Sequence, residues 1–175
     1  MYVLVGLGNP GRNYRATRHN VGQVCLDEIK EHLGISDLKN ESHLFSDIAR
    51  YENIVIAKPK TFMNESGKAI LALKKHFKIP AQSLWVFHDD VDLKIGTFKI
   101  IIGRGSAGHK GVQSIINSIK SKSFHRVRIG IQPSYGKPSS TESFVLEKFN
   151  MQEKNLLKET FEKIIEELDK TLKVN

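Results

Sequence analysis

His19 lies in the polar stretch Thr17-Arg18-His19-Asn20, away from any apolar periodic segment, so a packed core does not account for its imidazole. An imidazole gains and loses protons near neutral pH, which suits it to general acid–base work. A matching carboxylate is Asp89, in His88-Asp89-Asp90-Val91-Asp92, directly after the apolar run Leu84 to Phe87. The pairing suggests His19 as a general base on water, with Asp89 holding the useful tautomer and favouring the imidazolium that forms. Asn9 and Asn64 supply amides that could position a carbonyl or an amide group. No Gly-x-Ser-x-Gly elbow is present, and the single cysteine, Cys25, falls among Val21, Val24, Leu26 and Ile29, where a buried thiol is expected. A positioned general base contributes about 10²- to 10⁴-fold, enough for an activated ester when geometry and polar stabilisation supply the rest.

Metal chemistry finds little footing. Asp89, Asp90 and Asp92 lack the spacing of a calcium loop, and neither His-Glu-x-x-His nor Cys-x-x-Cys occurs, so no metal is expected. His32, His43, His76 and His125 read as solvated or satisfied side chains. Gly6, Gly8 and Gly11 follow the apolar Tyr2-Val3-Leu4-Val5 with the spacing of a dinucleotide fingerprint, which should open directly into a helix. Here Asn9-Pro10 marks a turn, and the next periodic segment starts only near Val21. The intervening loop, carrying Tyr14, Arg18, His19 and Asn20, is expected to be exposed. Asp27 and Glu28 sit on the helix that follows rather than at the end of a second strand, so no nucleotide cofactor is expected.

The charge is unevenly distributed. The net charge is +8, and from Leu93 to Thr141 there is no Asp or Glu, where the average composition would place about five. That stretch holds Lys94, Lys99, Arg104, Lys110, Lys120, Lys122, Arg126, Arg128 and Lys137. Such a run suits a polyanion whose phosphates are neutralised without reading bases. Joined to a histidine base, it suggests hydrolysis of an ester attached to nucleic acid.

The elements that must position these groups alternate. Strands are expected over Tyr2 to Leu7, Phe45 to Arg50, Ile54 to Ala57, Leu84 to Phe87, Gly96 to Ile102 and Arg126 to Ile131. Helices are expected over Asn20 to Leu33, Ser66 to Phe77 and Gly108 to Ile119, with a C-terminal helix over about 151–173 carrying Leu157, Phe161, Ile164, Ile165, Leu168 and Leu172 at helical spacing. Pro133 to Ser143 reads as a turn-rich loop. The expected fold is α/β: one domain over 1–175, a twisted mixed β-sheet with helices on both faces. No apolar run would span a bilayer and no leader is evident, so a soluble cytoplasmic protein is expected. The loops after Val5, Ala57, Phe87 and Ile102 should gather along one rim of the sheet, where ligands bind.

Several ordered motifs resemble the bacterial-type peptidyl-tRNA hydrolases: Val5 to Gly11 with Tyr14 and Thr17-Arg18-His19-Asn20; Lys58-Pro59 with Thr61-Phe62-Met63-Asn64 and Ser66-Gly67; His88-Asp89-Asp90 with Asp92-Leu93; Gly108-His109-Lys110-Gly111; and Phe124 to Ile131. The resemblance runs to about Phe149. It implies a monomeric, cofactor-free α/β hydrolase that cleaves the ester between a peptide and the terminal ribose of tRNA, recycling tRNA. It further implies that His19 accepts the proton, Asp89 supports it, and Asn9 helps distinguish blocked from free aminoacyl groups. Tyr14, Phe62 and Asn64 would line the substrate site, and His109, Lys110 and Arg128 would meet substrate or tRNA. The chain departs from the family at Lys110, where an asparagine is usual, and at Ile101, where a lysine usually joins the arginine matched by Arg128 in gripping the terminal phosphate. Lys99 or Arg104 could substitute. The alternative, a non-catalytic RNA-binding or splicing protein on this scaffold, would be free to lose His19, Asp89 or Asn64, and all three are present.

Overall fold

A computed structural model describes residues 1–172. In chain order the elements are β1 (Tyr2–Gly6), α1 (Val21–His32), β2 (Lys39–Glu41), β3 (Ser46–Tyr51), β4 (Ile54–Pro59), α2 (Ser66–His76), β5 (Leu84–Lys94), β6 (Phe98–Ile102), α3 (Lys110–Ile119), β7 (His125–Gln132), α4 (Thr141–Phe144) and α5 (Met151–Leu172). The strands form one seven-stranded sheet in the order β2-β3-β4-β1-β5-β7-β6. β4, β1, β5 and β7 run parallel, while β2, β3 and β6 join as antiparallel neighbours toward the two edges.

Alternation along the strands sends side chains to two apolar layers. Leu4, Ile54, Ile56, Trp85, Phe87, Val127 and Ile129 face α1 and α5, which contribute Cys25, Leu26, Ile29, Phe161 and Ile164. Val3, Val5, Val55, Leu84 and Val86 face α2 and α3 through Ile70, Leu73, Val112 and Ile115. Burial on both faces explains why the central strands read as nearly continuous apolar runs. Each fully buried aliphatic or aromatic side chain contributes about 1.5–3 kcal/mol, so α5, with Leu157, Phe161, Ile164, Leu168 and Leu172, is bound to the sheet by its own apolar stripe.

The fold matches the expected mixed sheet covered on both faces, with four local differences. β5 continues through His88, Asp89 and Asp90 to Lys94 because those residues pair with Arg128, Ile129 and Gly130 of β7; polar side chains had suggested a loop, but backbone pairing is indifferent to them. β2 carries Lys, Asn and Glu and no apolar alternation, so only its pairing with β3 reveals it. The short α4 interrupts the expected loop from Pro133 to Ser143. The loop after Ile102 does not start on the common rim: β6 runs antiparallel to β7, which places Ile102 beside His125 at the opposite end of the sheet. The loop nevertheless reaches the cleft, which Ser106 to His109 line before α3 begins. The expected extension of the C-terminal helix to residue 173 lies outside the described residues.

Candidate active site

The segment leading to His19 is set by close backbone contact. A Cβ on Gly22 would lie 2.2 Å from the Phe87 carbonyl oxygen, and one on Gly6 would lie 2.5 Å from the Gly22 oxygen. Glycine at both positions lets the start of α1 lie flush on β1 and β5. That leaves the preceding turn, Arg18 to Asn20, beside Asp89 in the middle of β5. The loop is exposed as expected over Gly11 to Asn13 and at Arg15 and Ala16, but Thr17, Arg18 and Asn20 are buried. The Asn20 side chain clamps the Asn9 main chain, its Oδ1 accepting from Asn9 N at 2.8 Å and its Nδ2 donating to Asn9 O at 2.9 Å. The helix-opening turn of a dinucleotide fold is absent here, because α1 starts only at Val21.

A second tie comes from the chain's far end, and the sequence reading missed it. Arg18 donates to both carboxylate oxygens of Glu153 on α5 at 2.9 and 3.0 Å, with its guanidinium 4.3 Å from the Phe144 ring centre and 4.8 Å from that of Phe149. The main-chain N–H groups of Arg18 and His19 donate to the carbonyls of Glu147 and Val145. Glu153 also accepts from Asn150 N while Asn150 Oδ1 accepts from Glu153 N, a reciprocal cap at the start of α5. The Asn-x-x-Glu spacing is a cap signal that the sequence reading did not use, and nothing local announced that Glu153 would reach Arg18.

His19 Nδ1–H donates to Asp89 Oδ1 at 2.8 Å. The side chains are 12% and 4% exposed, so the pair is almost out of water, and His19 Nε2 is left without a protein partner among the described residues. His109 Nε2 approaches the same oxygen at 2.9 Å. Its Nδ1 accepts from Val112 N at 3.2 Å, capping α3, so the ring hydrogen resides on Nε2. Burial raises the carboxyl of Asp89, but the electrostatic pull of His109 and His19 and the N–H groups both donate outweigh it and hold the group well below the carboxylate range. The three ligand-type atoms lie within 4.8 Å of one another, close enough for a metal trio. With a hydrogen on His109 Nε2 they form a donor–acceptor arrangement instead of three converging lone pairs.

His88 sits beneath this group. Its Nδ1–H donates to the Asp89 carbonyl at 2.8 Å, and its ring meets that of His109 edge-on at 4.6 Å. Burial holds it well below the usual histidine value, with the neighbouring His109 adding to the effect and Asp89 opposing it. It is therefore a neutral spacer at physiological pH.

Around His19 opens a cleft of about 640 Å³. Asn9, Phe62, Asn64, His109 and Lys110 line it, as do Val145 and Leu146. Asn9 Oδ1 accepts from Met63 N at 2.8 Å, which turns Nδ2 into the free donor of that amide. Two expected site residues stand apart. Tyr14 does not line the cleft: its carbonyl holds the Thr17 amide and hydroxyl, and its ring lies beside Gly11. Arg128 does not line it either; its Nε–H donates to Asp90 Oδ2 at 2.6 Å. Lys110, at the mouth, donates to Glu142 Oε1 at 2.6 Å. Register places Lys99, not Ile101, directly opposite Arg128, while Ile101 faces Arg126.

A family model described as peptidyl-tRNA hydrolase matches residues 3–175. The chain belongs to the peptidyl-tRNA hydrolase family. A peptidyl-tRNA hydrolase of Thermoanaerobacter sp. (strain X514) is 44% identical over 162 residues, covering 91% of this chain and 86% of the relative. One from Aliarcobacter butzleri (strain RM4018) is 40% identical over 172 residues, covering 97% and 91%. The crystal structure of peptidyl-tRNA hydrolase from Acinetobacter baumannii superposes with a TM-score of 0.86 at 31% identity, covering 97% of this chain and 87% of that one. Membership of the peptidyl-tRNA hydrolases makes the chain an ester hydrolase by family, and these relatives lend nothing to the RNA-binding alternative.

Proposed function

We propose that this chain hydrolyses the ester between a peptide and the 3′-terminal ribose of tRNA, with His19 Nε2 activating water and no cofactor taking part. The observation that carries the reading is the His19–Asp89 contact at 2.8 Å, which occupies Nδ1 and leaves Nε2 as the unprotonated nitrogen of a residue lining the cleft. Water held at Nε2 gives up a proton as its oxygen bonds to the ester carbon. The imidazolium formed is stabilised by Asp89, and the oxyanion meets the Asn9 Nδ2 donor. Collapse breaks the bond to the ribose oxygen, which recovers the proton from Nε2. Atoms and charge balance without a covalent enzyme intermediate.

Selectivity follows from desolvation. An amide at the substrate's α-nitrogen can hydrogen-bond to Asn64 or Asn9, whereas a free α-ammonium would lose water there without a counter-charge. Phe62, 52% exposed, and Leu146 offer apolar surface to the peptide's side chains. Binding of tRNA is assigned to the acid-free segment, which folds as β6, α3 and β7 at one edge of the sheet, with Lys99 and Arg128 side by side for a phosphate. The protein is read as a cytoplasmic monomer acting in translation; among the described residues no helix is long and apolar enough to cross a membrane. The test is release of the acyl group from N-acetyl-aminoacyl-tRNA by the wild type and His19→Ala across salt. The expected result is a loss of at least about 10²-fold in kcat for the variant and a rising KM for the wild type as salt increases. Equal rates on acetylated and free aminoacyl-tRNA would remove the selectivity argument.

A further inference from the structure

One carboxylate oxygen serves two imidazoles. Asp89 Oδ1 lies 2.8 Å from His19 Nδ1 and 2.9 Å from His109 Nε2, and the two ring centres are 5.1 Å apart. His109 is not free to choose its tautomer. Its Nδ1 accepts the Val112 amide at the first turn of the ten-residue α3, so Nε2 carries the hydrogen and must donate. The side chain is 9% exposed, and turning it toward solvent would give up both bonds.

We propose that His109 is a positioning residue that sets the proton affinity of His19 by sharing Asp89 Oδ1. This rests on the reading of His19 as the base. An anionic oxygen that already accepts one N–H has less charge to offer a second donor. When His19 takes a proton its bond to Asp89 becomes charge-assisted, and the standing donation from His109 weakens that gain. Protonation of His19 therefore gains less from Asp89 than it would with the carboxylate to itself, while α3 holds that carboxylate in place.

Other charges near the cleft are committed elsewhere. Asp90 holds Arg128, Asp92 holds Lys137, Glu142 holds Lys110 and Glu153 holds Arg18. His88 is buried and neutral, with Nδ1–H on the Asp89 carbonyl. The two histidines are thus the partners of the Asp89 side chain among the described residues.

The two duties of His109 can be separated, because an asparagine amide falls near the position of Nδ1 and a glutamine amide near that of Nε2. His109→Asn keeps an acceptor for the Val112 amide and loses the donor to Asp89. His109→Gln keeps the donor and weakens the cap. In wild type and both variants, the His19 ring signal is titrated by NMR without substrate, and the acid limb of kcat/KM is measured on N-acetyl-aminoacyl-tRNA. The asparagine variant is expected to raise the His19 midpoint and the acid limb together by about half a pH unit or more. The glutamine variant is expected to keep the wild-type midpoint with a lowered Tm. If His109→Asn does not fold, His109→Ser, another good cap too short to reach Asp89, makes the same comparison. An unmoved midpoint in the capped variant, or equal shifts in both, overturns the proposal. The NMR midpoint needs no turnover, so absence of hydrolysis by all these proteins would count against the catalytic reading while the midpoint still decides this one.

Discussion

The Asn9 amide is oriented before any substrate arrives. Its Oδ1 is engaged by Met63 N, and its main chain is held at both ends by Asn20, so Nδ2 is offered to the cleft in one direction. Preorganisation of this kind favours a transition state, because no donor has to turn as charge develops. Asn9→Ala is expected to lower kcat by about 10²- to 10³-fold with a smaller change in KM, the pattern of a donor used chiefly in the transition state. Steady-state kinetics on N-acetyl-aminoacyl-tRNA would check this; a change confined to KM would assign Asn9 to ground-state binding. The contact that orients Asn9 spans 54 positions of sequence, which is why the residue was legible as a candidate and its direction was not.

Among the elements, α5 bears on the site more than its amphipathic pattern suggested. Its Glu153 meets Arg18, the neighbour of His19, in a bidentate pair under 10% or so of exposure on either side. Breaking a buried pair by removing one partner costs about 3–5 kcal/mol, since the remaining charge is stranded. Glu153→Ala should therefore lower Tm markedly and reduce kcat by displacing the turn that carries His19. The double variant Arg18→Met with Glu153→Leu should recover most of the stability, because two apolar side chains leave no stranded charge. If Glu153→Ala alone leaves both Tm and kcat unchanged, the tie is dispensable. By contrast, the Lys110–Glu142 and Lys137–Asp92 pairs are largely exposed and should contribute little to stability.

For the whole molecule, buried titratable groups make stability depend on pH. Burial holds His88 well below the ordinary 6.5 in the folded chain, so the unfolded chain binds the extra proton first. Stability is then full above about 6.5 and falls as pH drops below it, by at most about 1.4 kcal/mol per pH unit for one group, until the folded protein also binds the proton. Asp89 acts in the same direction in a lower window: its carboxyl is depressed, so its contribution is present above about 4 and is lost as pH falls further. Urea unfolding at pH 7 and pH 5 should show the His88 slope in the wild type and its loss in His88→Asn, whose amide can still donate to the Asp89 carbonyl. Equal slopes would place the proton elsewhere. The sequence by itself determined the α/β class and most of the strands and helices, and it marked His19 and Asp89 as candidates and residues 93–141 as free of acids, because apolar periodicity, turn residues and charge composition are local properties of the chain. Tertiary structure alone decided that β5 runs on through Asp89, that Glu153 secures the turn before α1, that Tyr14 and Arg128 stand outside the cleft, and that one oxygen of Asp89 answers to two histidines. Those contacts join residues 20 to 135 positions apart, and only the register and packing of the folded sheet bring such groups within hydrogen-bond reach.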